Sequence, residues 1–132
     1  MSSAGRVAEV RGAAHVNSLG PGNLVEVGCD SIPGHPLYGK QVDFRSVDTL
    51  FQAKLNPTLV IKAMADEPLT TARAIRDALA AMPPGHKYQF MQFTDQYWKP
   101  TAAQLKTLND VLLAEGATIQ LTLSDFIYVP LR

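Results

Sequence analysis

The sequence predicts an α/β fold, with an α+β arrangement as the alternative. Residues 58–123 read as a β-α-β-α-β core, in which short apolar segments alternate with amphipathic ones. The chain has 132 residues, of which 46% are hydrophobic and 18% charged, and these values are typical of one compact domain. We therefore expect a single domain with a mixed sheet of about four to six strands and about three helices, mainly on one face. Residues 1–5 are expected to be mobile.

The first half of the predicted core is a strand followed by a helix. Residues 58–64 are mostly apolar and partly β-branched, which favours a strand. The acids and the proline of residues 66–68 suit the start of a helix, and apolar residues then recur at helical spacing as far as Met82. Pro83 and Pro84 end this helix, because neither can continue its hydrogen bonds.

The second half of the core repeats this order. Residues 87–94 are rich in aromatics and predict a strand, and Thr101 and Gln104 have the spacing of a capping box at the start of a helix. Residues 118–123 alternate strictly between polar and apolar, which predicts a third strand. Because a strand covered on both faces is usually apolar throughout, this alternation predicts that one sheet face is not covered by a helix.

The flanking segments are less regular. Residues 24–29 predict a strand, with residues 6–16 as its hairpin partner. Residues 30–41 hold two prolines and two glycines and predict a long ordered loop. Residues 46–55 predict a short helix capped by a serine. The apolar segment 126–131 predicts a last strand at the sheet edge, which its proline suits, reached through a hairpin.

Composition argues against several classes of function. Twelve basic and twelve acidic residues give a net charge of zero, and the basic residues do not cluster, which argues against nucleic-acid binding. No apolar stretch approaches the roughly 20 residues of a membrane span. The sequence begins without the apolar core of a signal peptide, and its single cysteine suits a reducing compartment, so we expect a cytoplasmic protein.

Acidic residues follow the predicted strand ends. Asp30, Asp66 and Asp95 would share the carboxyl-terminal rim of a parallel sheet, where ligands often bind. Such carboxylates could hold a magnesium ion and support metal-dependent catalysis. The favoured interpretation is that they cap helices and solvate loops, so we expect neither a metal nor a cofactor.

The loop after residue 28 holds a second candidate site. Cys29 and His35 could form a nucleophilic pair beside Asp30 if the imidazole reaches the sulfur. The alternative is that Cys29 ends a buried strand and behaves as a small apolar residue. A binding role for this loop is favoured over catalysis.

Aromatic and amide side chains form the third candidate, a protein interface. Tyr88 and Phe90 share one strand face, and Tyr97 and Trp98 follow in a loop. Aromatic residues are enriched at protein interfaces. The alternative is that Tyr88 and Phe90 face the helices. The remaining interface candidates are the polar residues of the third strand, namely Thr118, Gln120 and Thr122.

The sequence therefore favours a non-catalytic protein-interaction or assembly module. Its expected partner is itself or another protein, contacted through an uncovered sheet face or an edge strand. One alternative is a small enzyme that uses the acidic rim or the Cys29–His35 loop. Another is a small-ligand-binding domain with an apolar pocket at the rim.

Overall fold

The computed structural model describes residues 3–19, 23–94 and 97–130 and contains a mixed five-stranded sheet of order β1-β2-β3-β4-β5. The predicted fold class is thereby confirmed. The strands are β1 Glu26–Val27, β2 Phe44–Arg45, β3 Thr49–Lys54, β4 Lys87–Thr94 and β5 Phe126–Pro130. The helices are α1 Ser3–Ser18, α2 Pro57–Ile61, α3 Pro68–Ala80 and α4 Ala102–Ala114. No helix among these residues is long and apolar enough to cross a membrane.

The sheet combines an antiparallel half with a parallel half. Strand β2 is antiparallel to both β1 and β3, whereas β3, β4 and β5 run parallel to one another. Parallel neighbours need a crossover connection, which α3 supplies between β3 and β4 and α4 supplies between β4 and β5. The β-α-β-α-β order is therefore present, but it extends over residues 49–130 rather than 58–123.

The first strand of this core was predicted in the wrong segment. Residues 58–64 form α2 and the π-helical turn Lys62–Asp66 that follows it. The side chain of Asn56 caps α2 by accepting a hydrogen bond from the amide of Leu59 at 3.2 Å. Strand β3 lies instead in the predicted helix at residues 46–55. Most of its residues are buried, because β3 has neighbours on both edges and cover on both faces, so its sequence shows no alternation.

The predicted third strand, residues 118–123, does not pair with the sheet. The side-chain amide of Asn109 in α4 accepts from the Leu121 N–H at 2.8 Å and donates to the Leu121 carbonyl at 2.9 Å. This side chain takes the place of a neighbouring strand. A short 3₁₀ turn, Leu123–Asp125, replaces the predicted hairpin and leads into β5. Strand β5 lies at the sheet edge, as predicted.

Residues 6–16 lie in α1 rather than in a hairpin strand, and α1 packs on the sheet face that was expected to be open. Ala8, Ala13 and Val16 of α1 are buried in one apolar cluster with Phe44, Phe51 and other residues of that face. Gly12 allows the close approach, because a Cβ atom there would lie 2.5 Å from Cζ of Phe44. The expected mobile segment overlaps this helix from Ser3 onward, and residues 1 and 2 lie outside the described part of the chain.

The opposite face is covered by α2, α3 and α4, in agreement with three helices mainly on one face. Their buried side chains join residues from β3, β4 and β5 in the larger core cluster. In α3 these are Ala72, Ile75 and Ala78, and in α4 they are Leu108 and Leu112. The loop between β1 and β2 completes the cover of this face with further buried apolar side chains.

Candidate functional site

The outer edge of β5 is the candidate site, because it combines an unpaired strand edge with the exposed ring of Tyr97. Within the described ranges, β5 pairs with β4 alone. It has five residues and none of them is charged. We call this feature the β5 edge, meaning the outward side of Phe126–Pro130. Charged residues are a common device against edge-to-edge pairing, and this strand lacks them.

The main-chain groups of β5 are not all available at this edge. The Phe126 N–H donates to the Leu123 carbonyl, and the ammonium group of Lys99 donates to the Phe126 carbonyl. Pro130 has no N–H. Because the N–H and C=O of one strand residue point to the same side and alternate along the strand, residues 126, 128 and 130 face outward and residues 127 and 129 face β4. Among the described residues of the strand, Tyr128 is therefore the outward residue whose N–H and C=O are both without a described hydrogen bond.

An aromatic pair lies beside this edge. Tyr97 is 74% exposed, although its ring centroid is 5.6 Å from that of Tyr128. Trp98 is half-buried and packs against the core, and its carbonyl accepts from Nε2 of Gln92 at 3.4 Å. Of the two predicted loop aromatics, Tyr97 thus lies on the surface, whereas Trp98 contributes mainly to packing.

Tyr88 and Phe90 do not lie on an exposed surface. They are 1% and 0% exposed, and both belong to the core beneath the helices. The Tyr88 hydroxyl donates to the Gln41 carbonyl at 2.6 Å, and burial raises its pKa well above the usual value. The Phe90 ring stacks on that of Phe126 at 5.5 Å. The interface prediction for these two residues is therefore corrected, because the helices rather than a partner cover them.

Thr118, Gln120 and Thr122 are exposed, as an interface requires, but they do not lie on a strand. Thr118 lines a shallow cleft of about 450 Å³ beside the turn at residues 83–87. Gln120 and Thr122 line an adjoining cleft of about 280 Å³. They alternate with the half-buried Ile119, the buried Leu121 and the exposed Leu123. Leu121 is buried because the segment is bound to Asn109 of α4 and not because it crosses a sheet.

The Cys29–His35 pair is not assembled as a nucleophile. The Cys29 thiol is buried and donates to the Val42 carbonyl at 3.7 Å. Nδ1 of His35 accepts from the Leu37 N–H at 3.0 Å, so neutral His35 carries its proton on Nε2 and donates it to Glu26 at 2.8 Å. Both ring nitrogens are thus engaged away from the sulfur.

The electrostatics of this loop also disfavour a thiolate. Burial, together with the nearby charges of Glu26 and Asp30, raises the pKa of Cys29 to about 11. A reactive cysteine requires the opposite shift. Burial raises the pKa of Asp30, whereas the hydrogen bond from Arg45 at 2.6 Å lowers that of Glu26. The cluster of Glu26, His35 and Arg45 therefore holds the loop against β1 and β2.

The predicted acidic rim is not assembled as a metal site either. Within residues 3–19, 23–94 and 97–130, no group of three or more His, Cys, Asp or Glu side chains is placed to hold a metal ion. Asp30 lies in the 3₁₀ turn after β1, and its carboxylate accepts from the Ser31 hydroxyl at 3.3 Å. Asp66 is exposed and ends the π-helical turn rather than a strand. Asp95 lies outside the described residues.

A polar cleft of about 160 Å³ lies between the end of β3 and the start of α3. Gln41 on its rim has a φ of 41°, a left-handed conformation that is strained for glutamine. The Gln52 amide and the Tyr88 hydroxyl hold this residue through its side chain and carbonyl, respectively. The other lining residues are Lys54, Ala63, Glu67, Thr70, Thr71 and Ala74, so the cleft is not the apolar pocket expected of a ligand-binding domain.

No family model, curated protein or solved structure matches this chain. Two contributors to the β5 edge, Tyr128 and Lys99, were not among the residues predicted from the sequence. Tyr128 lies in a segment that was predicted to be an edge strand, which is a signal that could have identified it. Lys99 carries no such signal, because its contacts with Leu123 and Phe126 join residues that are distant in sequence.

Proposed function

We propose that this chain is a non-catalytic protein-interaction module that self-associates through the β5 edge. The observation that carries the proposal is an uncharged edge strand whose half-buried Tyr128 pairs with the exposed Tyr97 beside the strand. Edge strands offer main-chain groups for pairing, and tyrosine supplies contact area at low entropic cost. The zero net charge adds no general repulsion between copies.

The edge is favoured over a sheet face as the route of association. Helix α1 lies on the face that was expected to be open, and Phe51, Met91 and Phe93 of that face are 6%, 0% and 2% exposed. A partner could reach these side chains only by displacing α1. The β5 edge requires no such displacement.

The opposite edge of the sheet is less suited to pairing. Strand β1 has only two residues, and the carboxylate of Glu26 is bound to both Arg45 and His35. Very short edge strands and edge charges both protect a sheet from pairing with another one. The difference between the two edges therefore supports association at β5.

An enzymatic role has less support. The Cys29 thiol is buried with a raised pKa, and His35 is bound to Glu26 rather than to the sulfur. Nucleophilic catalysis by cysteine needs a thiolate within reach of its base. No other observation in the described residues favours a reaction.

The experiment is sedimentation analysis over about 10 µM to 1 mM, because an interface built on one short strand belongs to the weak, transient class. We expect the average mass to rise towards that of a dimer with concentration. Tyr128→Lys should shift this rise at least about tenfold upward, since it places like charges at the contact. A strict monomer throughout this range would overturn the proposal.

The matched control is Val27→Lys on β1. Val27 is 45% exposed and lies in the opposite edge strand, so its substitution adds the same charge away from the proposed contact. We expect its association to equal that of the parent chain. If Val27→Lys weakens association as much as Tyr128→Lys does, the contact is not specific to β5.

A further inference from the structure

We infer that the partner of the β5 edge is a second copy of this chain, paired antiparallel about a two-fold axis at Tyr128. The inference rests on the proposed function and deepens it by fixing the symmetry and the register. Residue Tyr128 of one copy would then lie directly opposite Tyr128 of the other. The two sheets would join into one continuous sheet of ten strands, five from each copy.

The register follows from the outward main-chain groups. The N–H and the carbonyl of Phe126 are already bound within the chain, by Leu123 and Lys99, and Pro130 has no N–H to offer. Among the described residues of β5, a register that pairs Tyr128 with itself is the one that gives each Tyr128 N–H and C=O a free partner. Each copy donates one hydrogen bond and accepts one, which is the pattern of a hydrogen-bonded antiparallel pair.

The same register accounts for the ends of the strand. Phe126 of one copy would lie opposite Pro130 of the other. Pro130 has no N–H to donate to the Phe126 carbonyl opposite it, and that carbonyl already accepts from the ammonium group of Lys99. A shift of two residues is the smallest that keeps outward residues opposite each other. It would place Tyr128 opposite Phe126, whose carbonyl is occupied, or opposite Pro130, which has no N–H. Both shifted registers leave Tyr128 with fewer hydrogen bonds than pairing with itself does.

A second copy suits this edge because a two-fold contact places each residue near its own equivalent. Any charged residue close to the axis would meet a like charge, and β5 itself has none between Phe126 and Pro130. The ammonium group of Lys99 lies at the Phe126 carbonyl, two residues from the axis, so the two copies of Lys99 would lie on opposite sides of the axis. Residues opposite each other in such a pair project from the same face. The Tyr97–Tyr128 pair of each copy would therefore meet the other pair, and the four rings would form one cluster over the axis.

Disulfide trapping tests the register. In the inferred dimer, the Cα atoms of residue 127 of one copy and residue 129 of the other are about 4.5 Å apart, whereas two residues 127 are about 7–8 Å apart. Disulfides need Cα atoms within about 7 Å. Under mild oxidation, Ile127→Cys mixed with Val129→Cys should give a linked dimer, and Ile127→Cys alone should give several-fold less. Cys29 is buried with a raised pKa and should not compete.

Each outcome decides between the two proposals. A disulfide between residues 127 and 129 of two copies supports the inference, and so does one between two copies of Tyr128→Cys. The first experiment leaves Tyr128 in place, so it tests the register with the proposed contact intact. If the chain associates but Ile127→Cys links to itself, or if neither combination links, the register is overturned while the proposed function stands. A chain that stays monomeric in sedimentation overturns both.

Discussion

The two faces of the sheet are covered in different ways. One face carries α1 alone, which is about 10–12 Å wide, whereas five strands at about 4.8 Å spacing span about 20 Å. Helix α1 lies close to the sheet because Gly12 and Ala13 are small, but it covers only part of the width of the sheet. The other face carries α2, α3, α4 and the loop between β1 and β2, and its core cluster is larger.

Both covers bury polar groups, but the broad cover buries them more completely. The Tyr88 hydroxyl and the whole of Gln92 lie inside on the three-helix side, where Tyr88 is 1% and Gln92 0% exposed, whereas Glu9 of α1 is 8% exposed. Asp43 immediately precedes β2, and its carboxylate accepts from the Ala53 N–H of β3 at 2.8 Å. The difference teaches that a wide helical layer excludes water from polar side chains, which makes their hydrogen bonds decisive for stability.

The largest effect should come from truncating a ring on the broad face. Phe90 is 0% exposed and contacts the rings of both Tyr88 and Phe126, so Phe90→Ala should lower the free energy of unfolding by about 3–5 kcal/mol. Phe51→Ala on the α1 face should cost less, because Phe51 is 6% exposed and has one ring neighbour, Phe44. Urea denaturation measures both variants. A larger loss for Phe51→Ala would contradict the comparison.

A pH-dependent effect should come from Asp43. Burial raises its pKa from 3.8 to about 6 in the folded protein. Folding therefore favours the protonated carboxyl, and this stabilisation is complete below about pH 4 and is lost as the pH rises through about 6. Asp43→Asn keeps an acceptor for the Ala53 N–H without the charge, so it should be more stable than the parent above pH 6, by at most about 3 kcal/mol.

The measurement for Asp43→Asn is thermal and urea unfolding between pH 4 and pH 8. The difference from the parent should shrink towards zero at the acid end. Asp110→Asn is the control, because this exposed carboxylate pairs only with the exposed Lys106. A stabilisation of Asp43→Asn that is the same at every pH would show that the buried charge is not its cause.

The smallest effect should come from Gln92, whose Oε1 is buried and has no hydrogen-bond partner among the residues that the structure describes. Gln92→Met removes this unsatisfied acceptor at similar volume and loses only the long contact with the Trp98 carbonyl. We expect the stability to stay within about 1 kcal/mol of the parent or to rise. Tyr88→Phe is the comparison, since it removes a hydroxyl bound to Gln41 and should be destabilising. Chemical denaturation that finds the opposite order would contradict this interpretation.

The elements that sequence reasoning located are those with strong local signals. Helix α4 begins with the predicted capping box, in which Thr101 and Gln104 bond each other's amides. Helix α3 ends before Pro83 and Pro84, and the aromatic segment 87–94 forms β4. Each signal acts within a few residues, so it does not depend on the rest of the fold.

The elements that were misplaced depend on distant neighbours. Residues 49–54 show neither a strict strand alternation nor an apolar run, so their sequence suits a strand or a helix, and only burial on both sheet faces decides for the strand. Residues 118–122 carry a strand pattern but lie where the side chain of Asn109 replaces a pairing strand. The candidate site depends on distant neighbours in the same way. Tyr97 and Lys99 precede α4 in the chain and β5 follows it, so only the crossover through α4 brings β5 beside them.

The sequence by itself determined the α/β class, the alternation of strands and helices, and an uncharged last strand at the sheet edge. These properties follow from periodicity, caps and composition, which act locally. Only the tertiary structure decided that α1 covers the second face, that Tyr88 and Phe90 are core residues, and that Tyr128 is the outward residue left for a partner. Those properties follow from which segments become neighbours, and the free energy of burial that selects the neighbours belongs to the whole fold.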